Sequence, residues 1–98
     1  MAHRIKWSAQ AAEDLKEIVQ YISSQNQDAA HSLAEKIILR IEAAANHPYS
    51  NRSVPEKNDE TIREIVLSPY RLIYTLEEGQ QVMYVARIWH ASRGIPKI

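Results

Sequence analysis

The sequence has 98 residues, of which 45% are hydrophobic, with 12 basic side chains, 12 acidic side chains and no cysteine. This length supports one hydrophobic core, and so one domain spanning residues 1–98, while the apolar content disfavours disorder. The zero net charge disfavours a protein that binds nucleic acid mainly through phosphates, and the lack of cysteine excludes disulfides and thiolate metal sites.

The first residues of the chain contain no targeting or membrane signal. MAHRIKWSAQ lacks the apolar stretch of a signal peptide, and no run in the sequence approaches about 18 apolar residues. We therefore expect a cytoplasmic protein without a membrane segment. His3, His31 and His47 have no partner at metal-ligand spacing, so neither a metal site nor a cofactor is expected.

A strand and two helices are predicted in the first half of the chain. Residues 3–7 alternate polar and apolar side chains, which is typical of a short strand, and Ser8 can cap a following helix. Apolar positions recur at helical spacing over residues 11–22 and 30–45, and the second helix must end before Pro48. The short polar link between these segments predicts an antiparallel helical hairpin with one shared apolar side.

The second half of the chain predicts a β-sheet. Three strand candidates follow a polar loop: residues 61–67, 70–76 and 82–90. Turn residues separate them, first Ser68-Pro69 and then a segment containing Gly79. We therefore expect an α+β fold in the order strand–helix–helix–strand–strand–strand, with the helical hairpin packed on one face of a small, mostly antiparallel sheet.

Arginines interrupt two of the predicted strands. Because side chains alternate along a strand, the even-numbered residues of 70–76 and 82–90 form apolar faces that should contact the helices. Arg71 and Arg87 then lie on the open face of the sheet. If the hairpin is regular and Leu76 pairs with Val82, the two arginines lie opposite each other. This register is an assumption that a β-bulge would change.

The predicted open face has two interpretations. Glu64 joins Arg71 and Arg87 if the preceding turn is tight, and the cluster could be a salt-bridge ladder that keeps the face in water. Alternatively, two guanidiniums with one carboxylate partner, beside an exposed apolar strip, are typical of a surface that binds a macromolecule. The predicted partner-binding residues are Glu64, Arg71, Ile73, Met83, Val85, Arg87, Trp89 and Arg93.

Four segments of the chain resemble a known family. WSAQAAEDLKEIVQYI, HPYSNRSVPE, REIVLSPYRLIYTL and VARIWHASR occur in the order found in the ParE/RelE superfamily of toxins from type II toxin–antitoxin modules. The resemblance extends from Trp7 to Arg93, although Asn51 stands where the family loop usually has glycine. It implies the fold derived above and a cognate antitoxin protein as partner, in a homodimer or a toxin–antitoxin hetero-oligomer.

The two branches of this superfamily imply different activities. The ParE branch inhibits DNA gyrase by protein–protein contact and needs no catalytic residues. The RelE-like branch cleaves messenger RNA on the ribosome, which requires a base, an acid and cations around the reacting phosphate. The candidates for these catalytic roles here are Glu56, Arg71, Arg87, His90 and Arg93.

Three observations favour the ParE branch. His90 shares the parity of the core-facing residues, the net charge is zero, and no lysine cluster occurs in strands 61–67 and 70–76. We therefore expect a gyrase inhibitor that does not bind nucleic acid directly. A ribosome-dependent endoribonuclease and a non-toxic antitoxin-binding domain are the alternatives.

Overall fold

The helices and strands follow one another in the predicted order. The computed structural model describes residues 2–98. The regular elements are β1 (Arg4–Trp7), α1 (Ala9–Ser23), α2 (Gln27–Asn46), β2 (Ile62–Leu67), β3 (Tyr70–Glu77) and β4 (Val82–His90), followed by a 3₁₀ turn (Ala91–Arg93). The predicted α+β fold is therefore confirmed.

Side-chain caps define where the two helices begin. Ser8 Oγ accepts a hydrogen bond of 2.9 Å from the amide of Ala11, and Asn26 caps α2 in the same way at 3.0 Å. The second helix ends at Asn46, before the ring of Pro48 would clash with a continuing helix. Neither α1 nor α2 combines the length and apolar character that crossing a bilayer requires.

The strands form one mixed sheet in the order β1-β4-β3-β2. The first strand pairs parallel with β4, and the other two pairings are antiparallel. Both helices pack on one face of this sheet, and side chains such as Ile37, Ile41, Leu72 and Tyr74 form the main core between them. Because β1 pairs only as far as Val85, the second half of β4 has no strand neighbour on that side.

A β-bulge interrupts the pairing of β3 with β4. Tyr74 pairs with Val85, whereas the preceding residue, Ile73, pairs with Arg87. Ala86 is therefore an extra residue in β4 with no partner in β3. Because one inserted residue reverses the alternation of side chains, the two halves of β4 present opposite parities to the helices.

The bulge corrects the predicted faces of β4. Met83 and Val85 belong to the main core beneath the helices, so their predicted place on the open face is wrong. Arg71 pairs with Trp89 and not with Arg87, so the predicted opposition of the two arginines is also wrong. The regular register assumed for the sequence could not include the extra residue.

The other face of the sheet is covered by the chain itself. Val54, from the loop between α2 and β2, is fully buried against Ile73 and Trp89, and together they form a second core. The amide of Val54 donates to a carbonyl of β2, and Trp89 Nε1 donates to the carbonyl of Gly94 at 3.1 Å. The predicted exposed apolar strip is therefore wrong, because Ile73 and Trp89 are at most 1% exposed.

Candidate functional site

Arg71 lies between two carboxylates on the second-core face. Its Nε donates to Glu64 Oε1 at 2.6 Å, and its two terminal nitrogens donate to Glu56 at 2.7 and 3.0 Å. Glu64 is only 1% exposed, and its other oxygen accepts from Arg52 Nε at 2.6 Å. These four residues, called the Arg71 cluster below, contain two guanidiniums and two carboxylates, so their formal charges balance.

The pairing within the Arg71 cluster corrects a prediction from the sequence. Two guanidiniums were expected to share one carboxylate, but Glu56 and Glu64 both bind Arg71. The hydrogen bonds to Glu56 raise the pKa of Arg71 despite the opposing effect of its burial, and the same contact lowers the pKa of Glu56. The predicted contact between Glu64 and Arg71 is present, but Arg87, which was expected to join them, binds Asp14 instead. The carboxylates of this chain therefore already neutralise the cations of the cluster.

Arg87 reaches around the edge of β4 and binds α1. Its Nε donates to Asp14 Oδ2 at 2.8 Å, and Nη2 donates to Asp14 Oδ1 at 3.0 Å. Asp14 also accepts from the backbone amide of Ile88 at 3.0 Å and from Gln10 Nε2 at 3.0 Å. Asp14 therefore occupies the edge of β4 beyond the end of β1, and it ties the first helix to the last strand.

Asp14 was not among the residues singled out from the sequence, because only the apolar positions of the first helix were expected to be buried. It is 5% exposed, and its position is three residues after Ala11 and four before Ile18, which are both on the apolar side. That spacing was the available signal. Its partner, 73 residues away, could not be identified from the spacing.

The Asp14 carboxylate should make the stability of the protein depend on pH. Burial disfavours its charged form, but hydrogen bonds from Arg87, Gln10 and the Ile88 amide outweigh burial and lower the pKa of Asp14. Because the unfolded value is about 3.9, the stabilisation is complete above that pH and is lost as the pH falls through the lower folded pKa.

Urea unfolding of the wild type and of Asp14→Asn, measured from about pH 6 down to about pH 2, tests this expectation. The variant should be less stable at neutral pH, and its free energy of unfolding should fall less steeply on acidification. Glu13→Gln, at an exposed neighbouring position, should follow the wild type. Equal acid dependence in Asp14→Asn and wild type would show that another carboxylate controls it.

Trp89 is the centre of the second core and has two arginines over its indole. The guanidinium carbon of Arg87 lies 5.0 Å from the ring centroid, and that of Arg93 lies 4.3 Å away. Arg87 Nη1 also donates to the carbonyl of Lys97 at 2.9 Å. Arg93 makes no ion pair with any of residues 2–98, which distinguishes it from Arg71 and Arg87.

His90 lies on the helical face, away from the Arg71 cluster. Its Nδ1 accepts from the amide of Ser92 at 3.1 Å, which caps the 3₁₀ turn. Its ring meets that of Tyr70 edge-on, with centroids 5.2 Å apart, and Tyr70 packs against the main core. The candidates for RNA cleavage are thus divided: Glu56 and Arg71 lie together on the second-core face, whereas His90 and Arg93 line one cleft beside α1.

The family of the chain follows from its sequence as a whole. Residues 5–95 match the family described as the ParE toxin of the type II toxin–antitoxin system parDE. The chain belongs to this family. This ParE-family toxin is also 32% identical over 97 residues to a protein of Sinorhizobium fredii (strain NBRC 101917 / NGR234) named "Putative toxin Y4kP", with 97% of this chain and 95% of that protein covered.

Solved structures with low sequence identity share the fold of the toxin. The structure described as the chromosomal ParDE toxin–antitoxin system from P. aeruginosa matches with a TM-score of 0.72 at 17% identity, over 91% of this chain and 96% of that chain. A free mutant of the E. coli toxin RelE matches with a TM-score of 0.61 at 17% identity, over 96% and 88% of the two chains. Both matches support the two-helix, four-strand arrangement.

The toxin accommodates Asn51 without a left-handed backbone. Among residues 2–98, the non-glycine residue with a positive φ is Gln81, at 52°. The side-chain amide of Asn51 donates to the Tyr74 hydroxyl at 3.3 Å, and the backbone carbonyl of Asn51 accepts from Arg63 Nη1 at 2.9 Å. The conformation of this loop therefore does not require the glycine that the family resemblance implies.

Part of the exposed apolar surface of the toxin lies on the helical hairpin. A groove of about 480 Å³ separates α1 from α2, and Trp7, Leu15, Val19 and Ile38 contribute its apolar lining. Ile38 is 42% exposed, and the adjacent Leu39 is 55% exposed. Such neighbouring apolar side chains are typical of a surface that contacts another protein.

Proposed function

We propose that this toxin inhibits DNA gyrase by protein–protein contact and that a cognate antitoxin neutralises it in a toxin–antitoxin hetero-oligomer. The arrangement of its charged groups is the observation that supports contact over catalysis. Arg71 is bound by Glu56 and Glu64, Arg87 is bound by Asp14, and His90 lies on the other face from Arg71.

RNA cleavage would need these groups in a different arrangement. A base, an acid and cations with free donors must converge on one phosphate, because charge develops there in the transition state. Here the carboxylates of this chain occupy the guanidiniums of Arg71 and Arg87. Action through protein surfaces requires no such convergence, and it agrees with the zero net charge.

The apolar groove of the helical hairpin supports an antitoxin partner. The P. aeruginosa structure is described as a ParDE toxin–antitoxin system, and this chain shares its fold and belongs to the ParE family. We infer that an apolar segment of the antitoxin packs between α1 and α2, against Leu15, Val19 and Ile38. Burial of such side chains contributes about 25 cal/mol per Å² of apolar area removed from water.

Two assays with the same purified toxin test this function. The toxin should inhibit supercoiling by gyrase or trap cleaved DNA, and it should leave ribosome-bound messenger RNA intact. Adding the cognate antitoxin should restore supercoiling. Ribosome-dependent cuts in messenger RNA without any effect on gyrase would instead support the endoribonuclease alternative.

A groove variant separates toxicity from neutralisation in the same assay. Ile38→Glu places a charge in the apolar groove, so the variant should still inhibit gyrase but should resist the antitoxin. Gln25→Glu changes an exposed residue of the link between the helices and should behave like the wild type. Full neutralisation of Ile38→Glu would exclude this groove as the antitoxin surface.

A further inference from the structure

A second, smaller cleft lies on the opposite side of α1 from the apolar groove. It separates α1 from the start of β3 and the end of β4, and its volume is about 260 Å³. Ile18, Ile88 and Tyr70 contribute apolar lining, and Tyr21 lines it from α1. Small-molecule sites usually enclose about 300–1,000 Å³, so this cleft suits one large side chain of a partner better than a free ligand.

Hydrogen-bond donors surround this apolar lining. Arg93 lines the cleft and makes no ion pair with residues 2–98. His90 lines it too, and because its Nδ1 accepts from the amide of Ser92, the neutral ring carries its proton on Nε2. The turn side of the cleft therefore offers a cation and an N–H donor.

The acidic side chains of the cleft differ in their availability. Both oxygens of Asp14 are already bound, by Arg87, by Gln10 and by the Ile88 amide. Glu17, on α1, makes no ion pair within the described part of the chain and is exposed. Arg93 and His90 therefore favour a carboxylate in the cleft, and Glu17 is the group that opposes it.

We propose that this cleft receives an acidic–apolar segment of the antitoxin. One large apolar side chain of that segment lies against Ile18, Tyr21 and Tyr70. An adjacent carboxylate accepts from Arg93 and from His90 Nε2. The inference rests on the antitoxin half of the proposed function. It adds a second antitoxin contact, on the side of α1 opposite the apolar groove, and binding in that groove does not depend on it.

Affinities of the purified toxin for its full-length antitoxin test this contact. Arg93→Ala and Tyr21→Ala should each weaken binding about tenfold, as expected when an interface anchor is truncated. Glu17→Gln should tighten binding about threefold, because it removes a charge that repels the carboxylate. Lys97→Ala and Glu13→Gln change exposed charges outside the cleft and should leave the affinity unchanged.

The Tyr21 variant makes the result independent of folding. Arg93 also lies over Trp89, so its removal can affect stability, whereas Tyr21 is 70% exposed and its truncation should leave the melting temperature unchanged. Weaker binding by Glu17→Gln, with tighter binding by Arg93→Ala, would show a basic segment and overturn the proposal.

The remaining outcomes also decide the matter. Unchanged affinity in all three cleft variants, with normal binding by the wild type, would overturn the cleft contact and leave the proposed function intact. Failure of the wild type to bind the antitoxin would overturn the cleft contact together with the antitoxin half of the proposed function.

Discussion

Replacing Arg87 by alanine should lower the free energy of unfolding by about 3 kcal/mol, because it leaves the buried Asp14 carboxylate without its cation. The Asp14 side chain is 4% exposed and that of Arg87 is 13% exposed, so water cannot readily substitute for the guanidinium. For a chain of this length the loss corresponds to a fall of roughly 12–24 °C in the melting temperature. Thermal and urea unfolding measure it directly.

A control and a double variant test the cause of this loss. Arg40→Ala removes an exposed arginine that makes no ion pair within residues 2–98, and it should cost less than about 0.5 kcal/mol. Adding Asp14→Ala to Arg87→Ala should cost less than the sum of the two single changes, since the unpaired charge is then absent. A stable Arg87→Ala protein that has lost activity would instead favour a role for Arg87 in recognition.

Replacing Trp89 by alanine should cost about 4 kcal/mol, within the range for a buried aromatic side chain. The indole is 1% exposed and packs against Val54 and Ile73, so its removal leaves a cavity beneath the loop that covers the second face. The hydrogen bond from its Nε1 to the Gly94 carbonyl is lost as well. Guanidinium chloride unfolding should show the change as a lower midpoint.

Two further variants show how much of the stability lost in Trp89→Ala comes from packing in the second core. Phenylalanine keeps most of the packing, so Trp89→Phe should lose much less stability than Trp89→Ala. Tyr21→Ala removes an aromatic side chain that is 70% exposed and should change stability by less than about 0.5 kcal/mol. If Trp89→Ala were as stable as Tyr21→Ala, the second core would not contribute to the fold.

The order of the elements was predictable because each element carries its own local signal. Ser8 precedes a helical stripe and accepts from the first turn, as its position indicates. The tight turn at Ser68-Pro69 pairs Leu67 with Tyr70, which correctly placed Glu64 beside Arg71. The helix cap and the tight turn depend on residues that are close in the sequence, so the order of side chains was enough to predict them.

The face of the sheet that was predicted to be open depended on distant contacts. Alanine is not a residue type that indicates a β-bulge, so Ala86 gave no local signal. Its backbone carbonyl accepts from the hydroxyl of Ser8, which is 78 residues earlier in the chain. Val54 is an isolated aliphatic residue between Ser53 and Pro55 in a mostly polar loop, which was a weak signal of the covered face. Arg93 lines the cleft beside α1, whereas five of the other predicted partner-binding residues are buried: Glu64, Ile73, Met83, Val85 and Trp89.

The parallel pairing of β1 with β4 has a consequence for synthesis of the toxin on the ribosome. The first strand and Asp14 find their partners only when the last strand has been translated, because these contacts join the two ends of the fold. A nascent chain that ends at β3 would expose the Asp14 charge and the edge of β1. Native structure therefore arises late in translation, and a growing chain gives a cell little folded toxin before β4 has left the exit tunnel.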